Sequence, residues 1–185
     1  SGLDKAFFCN SGTEANEAAI KLCKLFGHSK NIEVPEILVC KGAFHGRSLG
    51  ALSATWGSKA RNGFAPLLEG FTHVPYGDVS AIEAAATEST VAVMLEPVQG
   101  EAGVVIPPKG YLKQLRELCD SKGWLLILDE IQTGNGRTGT YFAFEQEGIK
   151  PDVLTTAKGL GNGLPIGVCL ATEQIAALMV PGTHG

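Results

Sequence analysis

Three features are scarce or missing in this 185-residue sequence, and each absence excludes a class of protein. No apolar run approaches the ~20 residues that a membrane-spanning helix needs. The five cysteines include no Cys-x-x-Cys pair, so the sequence indicates neither a zinc site nor a disulfide framework. Basic residues are outnumbered, with 15 lysines and arginines against 19 aspartates and glutamates. The resulting charge of −4 argues against a nucleic-acid-binding protein.

What the sequence does have is a regular alternation of short apolar runs and amphipathic stretches, in a composition that is 44% hydrophobic and 18% charged. The pattern predicts strands at 6–9, 37–40, 72–74, 91–95, 124–128, 153–156 and 167–170, and helices at 11–27, 79–86, 111–123 and 173–180. This alternation predicts an α/β fold with a mostly parallel sheet covered by helices. Such sheets bind ligands at the carboxyl ends of their strands, where polar residues cluster in this sequence.

The first such cluster is the Asn-Ser-Gly-Thr motif at 10–13, which leaves a predicted strand and opens a predicted helix. Free backbone N–H groups and the positive end of the helix dipole would meet there, which suits a phosphate. A helix cap formed by Ser11 alone, within a capping box completed by Glu14, explains the motif equally well. By itself the motif is weak evidence for a ligand.

The second cluster contains Asp129, which follows five apolar residues at the end of a predicted buried strand. A carboxylate placed there is costly to bury unless a cation pairs with it. Three interpretations remain open from the residues alone. Asp129 could hold a metal beside a nucleotide, face the protonated ring nitrogen of pyridoxal phosphate (PLP), or simply cap the following turn.

The nucleotide interpretation lacks its usual partners. No G-x-x-x-x-G-K-[ST] loop is present in the sequence. The stretch 134–139 matches G-x-G-x-x-G, but it begins five residues beyond the predicted strand and does not lead directly into a helix, so we discount it as a dinucleotide site.

Lys158 is the third candidate, because it stands just past the predicted strand 153–156 and before a glycine-rich stretch. Most lysines are solvated surface charges. A lysine at a strand end among apolar neighbours can instead have a lowered pKa and act as nucleophile and base.

Two further loops add polar groups at strand ends. The Phe44 to Arg47 stretch offers a stacking ring and a guanidinium that can bind a carboxylate, or else a buried Phe and a solvated Arg. Glu96 and Glu101 offer paired acids, although a solvated loop is commoner. Each signal is modest, but their joint placement at one edge of the sheet favours a functional site.

The sequence resembles the class-III (ornithine-type) PLP-dependent aminotransferases, and most closely their acetylornithine-specific branch. The resemblance runs along essentially the whole chain. Its motifs are NSGTEANE at 10–17, FHGR at 44–47, EPVQGE at 96–101, LDEIQTG at 128–134, RTG at 137–139 and AKG at 157–159. The resemblance implies the large domain of a fold-type-I enzyme, with helices on both faces of the sheet. We expect residues 1–185 to be this PLP-binding domain of a longer chain, with both ends and the small domain missing.

The resemblance also implies roles for individual residues. Catalysis would rest on Lys158, which carries the cofactor and moves the proton, and on Asp129, which faces the ring nitrogen. The other residues implied to bind the cofactor are Gly12, Thr13, Phe44, His45 and Gln132. Those implied to bind substrate are Arg47, Glu96 and Glu101, of which Glu101 would neutralise an arginine outside this sequence when the amino donor is bound.

The implied reaction passes the δ-amino group of N2-acetylornithine to 2-oxoglutarate, a step of arginine biosynthesis. A homodimer with shared active sites and a cytoplasmic location are also implied, with a mitochondrial or plastid location if the source is eukaryotic. Other class-III donors remain open, namely ornithine, succinylornithine and 4-aminobutyrate. Glutamate-1-semialdehyde aminomutase is a more distant alternative, and a non-catalytic or nucleotide-binding α/β module belongs to another class.

Overall fold

A single seven-stranded sheet organises the computed structural model, which describes residues 1–184. The strands are β1 (Lys5–Cys9), β2 (Glu36–Cys40), β3 (Phe71–Val74), β4 (Thr90–Leu95), β5 (Leu125–Asp129), β6 (Val153–Thr156) and β7 (Gly167–Ala171). The α-helices are α1 (Gly12–Ser29), α2 (Leu49–Ala54), α3 (Ser58–Arg61), α4 (Val79–Ala85), α5 (Tyr111–Lys122) and α6 (Glu173–Ala176). Two 3₁₀ turns span Ala143–Glu147 and Lys158–Gly161.

The strand order is β1-β7-β6-β5-β4-β2-β3. Pairing is parallel from β3 through β2, β4 and β5 to β6, whereas β7 runs antiparallel to both β6 and β1. The predicted α/β class with a mostly parallel sheet is therefore confirmed. All five parallel strands end at the same edge, and this edge carries the polar clusters that the sequence analysis singled out.

The central strands β4 and β5 are buried along their whole length, as near-continuous apolar strands of parallel sheets are. Alternate residues point to opposite faces and form two cores. On one face Leu126 and Leu128 pack with Leu115 of α5, and on the other Ile127 packs with Ala18 of α1. Helices thus cover both faces, as the resemblance implied, and no helix among residues 1–184 has the length and apolar character to cross a membrane.

Three helices differ from the sequence-based prediction. The segment predicted as a helix at 173–180 is α-helical only over Glu173–Ala176. After it, the amides of Leu178 and Met179 donate to carbonyls three residues back rather than four, so the chain tightens into turns. The short helices α2 and α3 were not predicted. The start of α2 is held by Glu17 of α1, whose carboxylate accepts hydrogen bonds from Ser48 Oγ and, at 3.0 Å, from the Ala51 amide.

Candidate active site

A cleft of about 280 Å³ lies where the carboxyl ends of β5 and β6 face the start of α1. It is lined by every residue that the sequence analysis proposed for the site except Arg47. The fold therefore brings together residues that are up to 146 positions apart, from Gly12 to Lys158. Their individual roles stay predictions.

The start of α1 forms one wall of the cleft. Ser11 caps the helix, because its Oγ accepts a hydrogen bond of 3.2 Å from the Glu14 amide. The Glu14 carboxylate reaches back to the Asn10 amide at 2.6 Å, one residue earlier than in a standard capping box. The N–H groups of Gly12 and Thr13 belong to the first turn, which has no acceptors within the helix. These two N–H groups can therefore bind an anion at the positive end of the helix dipole.

At Gly12, the first turn of α1 packs closely against the loop after β5. A Cβ atom at Gly12 would lie 2.7 Å from Cδ1 of Ile131, so even alanine requires a shift of the backbone or of Ile131. The absence of a side chain lets the first turn of α1 approach the loop that follows Asp129.

Asp129 is the last residue of β5 and only 3% exposed. Its Oδ2 accepts hydrogen bonds from Nδ1 of His45 at 2.7 Å and from Nδ2 of Asn16 at 2.8 Å. Its Oδ1 accepts one from the Ile131 amide at 3.1 Å. Hydrogen-bond donors thus compensate the buried carboxylate and fix its orientation at the edge of the cleft.

His45 was predicted to bind a cofactor. It lines the cleft, but its side chain is fully buried and its ring is committed through Nδ1 to Asp129. Its backbone amide donates to Oγ1 of Thr55 at 2.9 Å, which anchors the loop. Nε2 is buried and has no hydrogen-bond partner within residues 1–184. The arrangement shows His45 as a direct partner of Asp129.

Lys158 begins the 3₁₀ turn that follows β6, and its side chain is exposed. Its φ of 44° lies in the left-handed region, which is uncommon for a residue with a side chain and occurs often at functional sites. Asn135 holds the preceding segment, because its Nδ2 donates to Thr156 Oγ1 at 2.9 Å and to the Ala157 carbonyl at 3.2 Å.

Glu96, predicted to bind substrate, follows β4 and is 5% exposed. Its two carboxylate oxygens accept hydrogen bonds from backbone amides, one from Phe44 at 3.0 Å and one from Gly100 at 3.1 Å. Burial, reinforced by the nearby charge of Asp129, raises the pKa of Glu96 above its ordinary value. In this geometry Glu96 ties two loops together at the cleft.

Glu101 lies just beyond Gly100, in a tight hairpin closed by a pair of backbone hydrogen bonds between Gln99 and Val105. The hairpin is anchored by Gln99, whose Nε2 donates to the Lys41 carbonyl at 2.9 Å. The Glu101 side chain is exposed and lines the cleft. A Cβ at Gly100 would overlap the side chain of Gln132, so the hairpin and Gln132 are in contact.

Arg47 is exposed and does not line the cleft. Its guanidinium carbon lies 5.6 Å from the centre of the Phe44 ring, and Phe44 itself is half-buried in the cleft wall. The Phe44 ring therefore lines the cleft, whereas Arg47 is exposed next to that ring and is not part of the cleft wall.

Asn16 lines the cleft, yet the sequence analysis gave it no role. The signal was present in the sequence, because an amide at 16 interrupts the apolar face formed by Ala15, Ala18 and Ala19. A polar residue on the buried face of an amphipathic helix needs hydrogen-bond partners, and these partners are functional candidates.

The loop after β5 depends on a second buried carboxylate, that of Glu130. It accepts hydrogen bonds from Thr133 Oγ1 at 2.6 Å and from the amides of Ala143 and Phe144, each at 3.0 Å. Burial raises the pKa of Glu130 above its ordinary value, and the hydrogen bonds oppose this effect.

Replacing Glu130 by alanine should lower the free energy of unfolding by about 3 kcal/mol, because several buried donors lose their acceptor at once. Chemical denaturation would measure this loss. The matched control is Glu145→Ala in the same loop, whose side chain is exposed and whose replacement should change stability by no more than about 0.5 kcal/mol. Equal stabilities of the two variants would contradict the assigned role of Glu130.

Comparison with known proteins gives a match along the whole chain. The family model described as Aminotransferase class-III matches residues 1–185. An acetylornithine aminotransferase of Methanopyrus kandleri is 55% identical over 184 residues, which are 99% of this chain and 46% of the relative. This chain therefore spans about half the length of the curated relatives that it matches.

Solved structures show the same fold. An ornithine aminotransferase from Toxoplasma gondii, crystallized in the presence of oxidized glutathione and with partial occupancy of PLP at its active site, superposes with a TM-score of 0.96. It is 38% identical, and the match covers 100% of this chain and 45% of that one. The N-acetylornithine aminotransferase from Stenotrophomonas maltophilia K279a has a TM-score of 0.79 at 41% identity, covering 95% of this chain and 43% of its own.

Proposed function

Because this chain belongs to the class-III aminotransferase family, we propose that the protein transfers amino groups with PLP bound in the cleft described above. The observation that supports the proposal most strongly is the convergence of Lys158, Asp129 and the first turn of α1 on one cleft. These three features supply an amine, a carboxylate and an anion-binding helix terminus, which are the groups that PLP requires of a protein.

The described residues fit this cofactor. The first-turn N–H groups of Gly12 and Thr13 suit its phosphate, and the Thr13 hydroxyl adds a donor. Phe44 is half-buried in the cleft wall and offers a ring face for stacking. Gln132 lies beside Gly100 in the same wall, and its side-chain amide would be a hydrogen-bonding group for the ring oxygen of the cofactor. When bound, PLP supplies an electron sink and carries the amino group between the two half-reactions.

Lys158 is the residue that holds and moves the proton. We assign its Nζ the proton taken from the donor carbon that bears the amino group, as general acid–base chemistry requires. Lys158 is exposed and lines the cleft, so its amine can reach a substrate bound there. The left-handed backbone conformation of Lys158 ends the extended course of β6 at the edge of the cleft.

Asp129, as a carboxylate, would pair with the protonated ring nitrogen. Protonation of this nitrogen makes the ring an effective electron sink. The fixed orientation of this carboxylate, held by His45, Asn16 and Ile131, means that no reorganisation is needed during the reaction. Glu96 serves this arrangement indirectly by tying the Phe44 loop to the hairpin of Glu101.

For the substrate, we propose N2-acetylornithine as amino donor and 2-oxoglutarate as acceptor, which would place the protein in arginine biosynthesis. Support comes from the 55% identity to an acetylornithine aminotransferase. Among the solved structures, the N-acetylornithine enzyme is 41% identical and the ornithine enzyme 38%. Arg47 and Glu101 are the proposed carboxylate-binding and charge-adjusting residues. Glu101 stands exposed at the tip of its hairpin, where it can reach a substrate or a second charged group.

A panel of amino donors tests the substrate directly. The full-length protein with PLP and 2-oxoglutarate should have a higher kcat/KM for N2-acetylornithine than for ornithine, 4-aminobutyrate or succinylornithine. An advantage of about tenfold or more over ornithine is expected, because the charge of a free α-amino group would have to be desolvated in a site built for an acetamide. A preference for ornithine would refute the proposed donor while leaving the reaction type intact.

The oligomeric state and the cellular location that the family resemblance implies are also proposals. We propose a homodimer that acts in the cytoplasm. Light scattering on the full-length protein tests the dimer, and a monomer with full activity would refute it.

A further inference from the structure

Asn16 has both ends of its side-chain amide engaged in the interior of the protein. It is 0% exposed, on the face of α1 that packs against the sheet. Its Nδ2 donates to the carbonyl of His45 at 2.7 Å and to Oδ2 of Asp129 at 2.8 Å. Its Oδ1 accepts a hydrogen bond of 2.7 Å from Oγ1 of Thr155, which is also 0% exposed and lies in β6.

These partners determine which way the amide faces. Toward Asp129 and His45 there are two acceptors, a carboxylate oxygen and a backbone carbonyl, and only the NH₂ group can satisfy both. A flipped amide would place its oxygen against those two acceptors in a site closed to water, which is strongly unfavourable. Asn16 is therefore a donor to Asp129.

The two oxygens of Asp129 are consequently not equivalent. Each carboxylate oxygen accepts about two hydrogen bonds. Oδ2 has both of its positions filled, by Asn16 and by His45, whereas Oδ1 accepts from residues 1–184 only the amide of Ile131 at 3.1 Å. Counting this described part of the chain, one acceptor position is left on the carboxylate, and it is on Oδ1.

We propose that Asn16 is a positioning residue that saturates Oδ2 of Asp129 and thereby reserves Oδ1 for the ring N–H of the cofactor. This inference rests on the proposed function and deepens it. It assigns Oδ1 of Asp129 to the hydrogen bond with the cofactor ring, and it assigns to Asn16 the role of leaving that oxygen available. Without the donor from Asn16, Oδ2 has a free position as well, and the carboxylate can rotate away from the cofactor.

A purely structural role for Asn16 makes a different prediction. The bond from Thr155 to Asn16 also ties α1 to β6, and a tether of this kind would affect every ligand of the cleft alike. The positioning role affects only ligands that have a ring N–H. Two cofactors that differ at that atom alone can separate the two roles.

The experiment measures the dissociation constants of PLP and of the PLP analogue in which the ring nitrogen is replaced by C–H, using the full-length protein freed of cofactor. The wild-type protein should bind PLP more tightly than the analogue. In Asn16→Ala the preference for PLP should fall about tenfold, as expected for the loss of a charge-assisted hydrogen bond, with little change for the analogue. The matched control is Thr155→Val, which breaks the tether but keeps the donor to Asp129, and its preference should stay within about threefold of wild type.

A second variant covers the case that Asn16→Ala does not fold. The double variant Asn16→Leu with Thr155→Val replaces the buried polar pair by apolar groups of similar shape, a change that proteins tolerate better than a half-broken pair. It should lose the preference for PLP as Asn16→Ala does. An unchanged preference in the Asn16 variants, or an equal loss in Thr155→Val, would overturn the inference. A wild-type protein without any preference would instead overturn the role of Asp129 within the proposed function, and this inference with it.

Discussion

Replacing Lys158 by alanine should lower the rate of transamination by about 10³-fold or more. General acid–base catalysis by one positioned side chain contributes roughly 10²–10⁴-fold, and the same amine is proposed to hold the cofactor, so both contributions are lost together. Donor and acceptor half-reactions should fall alike, because each needs the proton to move. Stopped-flow or coupled assays on the full-length protein would measure the loss.

The fold should survive this change. The side chain of Lys158 is exposed, so its removal leaves no cavity in the core. Its left-handed backbone is already held in the wild-type protein by Asn135 through the Ala157 carbonyl. A matched control is Lys113→Ala, an exposed lysine on α5 away from the cleft, which should keep wild-type activity. Appreciable transamination by Lys158→Ala would refute the proposed mechanism.

Replacing Asp129 by asparagine should lower kcat by about 10²–10³-fold even with the cofactor bound, the range found when one preorganised electrostatic group is removed. The substitution keeps the volume of the side chain. Its oxygen can still accept from His45 and Asn16 on the Oδ2 side. On the Oδ1 side it presents an NH₂ group, which can accept neither from the Ile131 amide nor from the N–H of the cofactor ring.

Asp120→Asn is the control for this variant, because Asp120 is an exposed aspartate of α5 whose ion pair with Arg116 lies outside the cleft. It should leave activity unchanged, since surface ion pairs contribute little. Wild-type rates in Asp129→Asn would mean that the ring nitrogen does not face this carboxylate. Denaturation curves of both variants exclude unfolding as the cause of a lost rate.

The sheet could be predicted from the sequence because its central strands are short apolar runs that end at polar residues. Thr90–Leu95 and Leu125–Asp129 are buried on both faces, and such runs have few alternatives in a chain of this composition. The antiparallel direction of β7 was not predicted. Its signal was the connection from Thr156 to Gly167, which is too short for the crossover that a parallel pair needs.

The site was predicted in part, and the limits have physical causes. Asp129 and Lys158 stand at strand ends, where sequence position alone indicates the functional edge. Asn16 and Glu130 act through hydrogen bonds to partners that only the folded chain brings near, such as Thr155 for Asn16. The short helices α2 and α3 depend in the same way on tertiary contacts, since the start of α2 is held by Glu17 of another helix.

Chemical reduction of the protein with bound cofactor would identify the residue that carries PLP, which we propose to be Lys158. The full-length protein is incubated with PLP, reduced with borohydride, digested and analysed by mass spectrometry. We expect a pyridoxyl group on the peptide that contains Lys158 and no comparable label on exposed lysines such as Lys113. No label, or a label spread over surface lysines, would contradict this assignment.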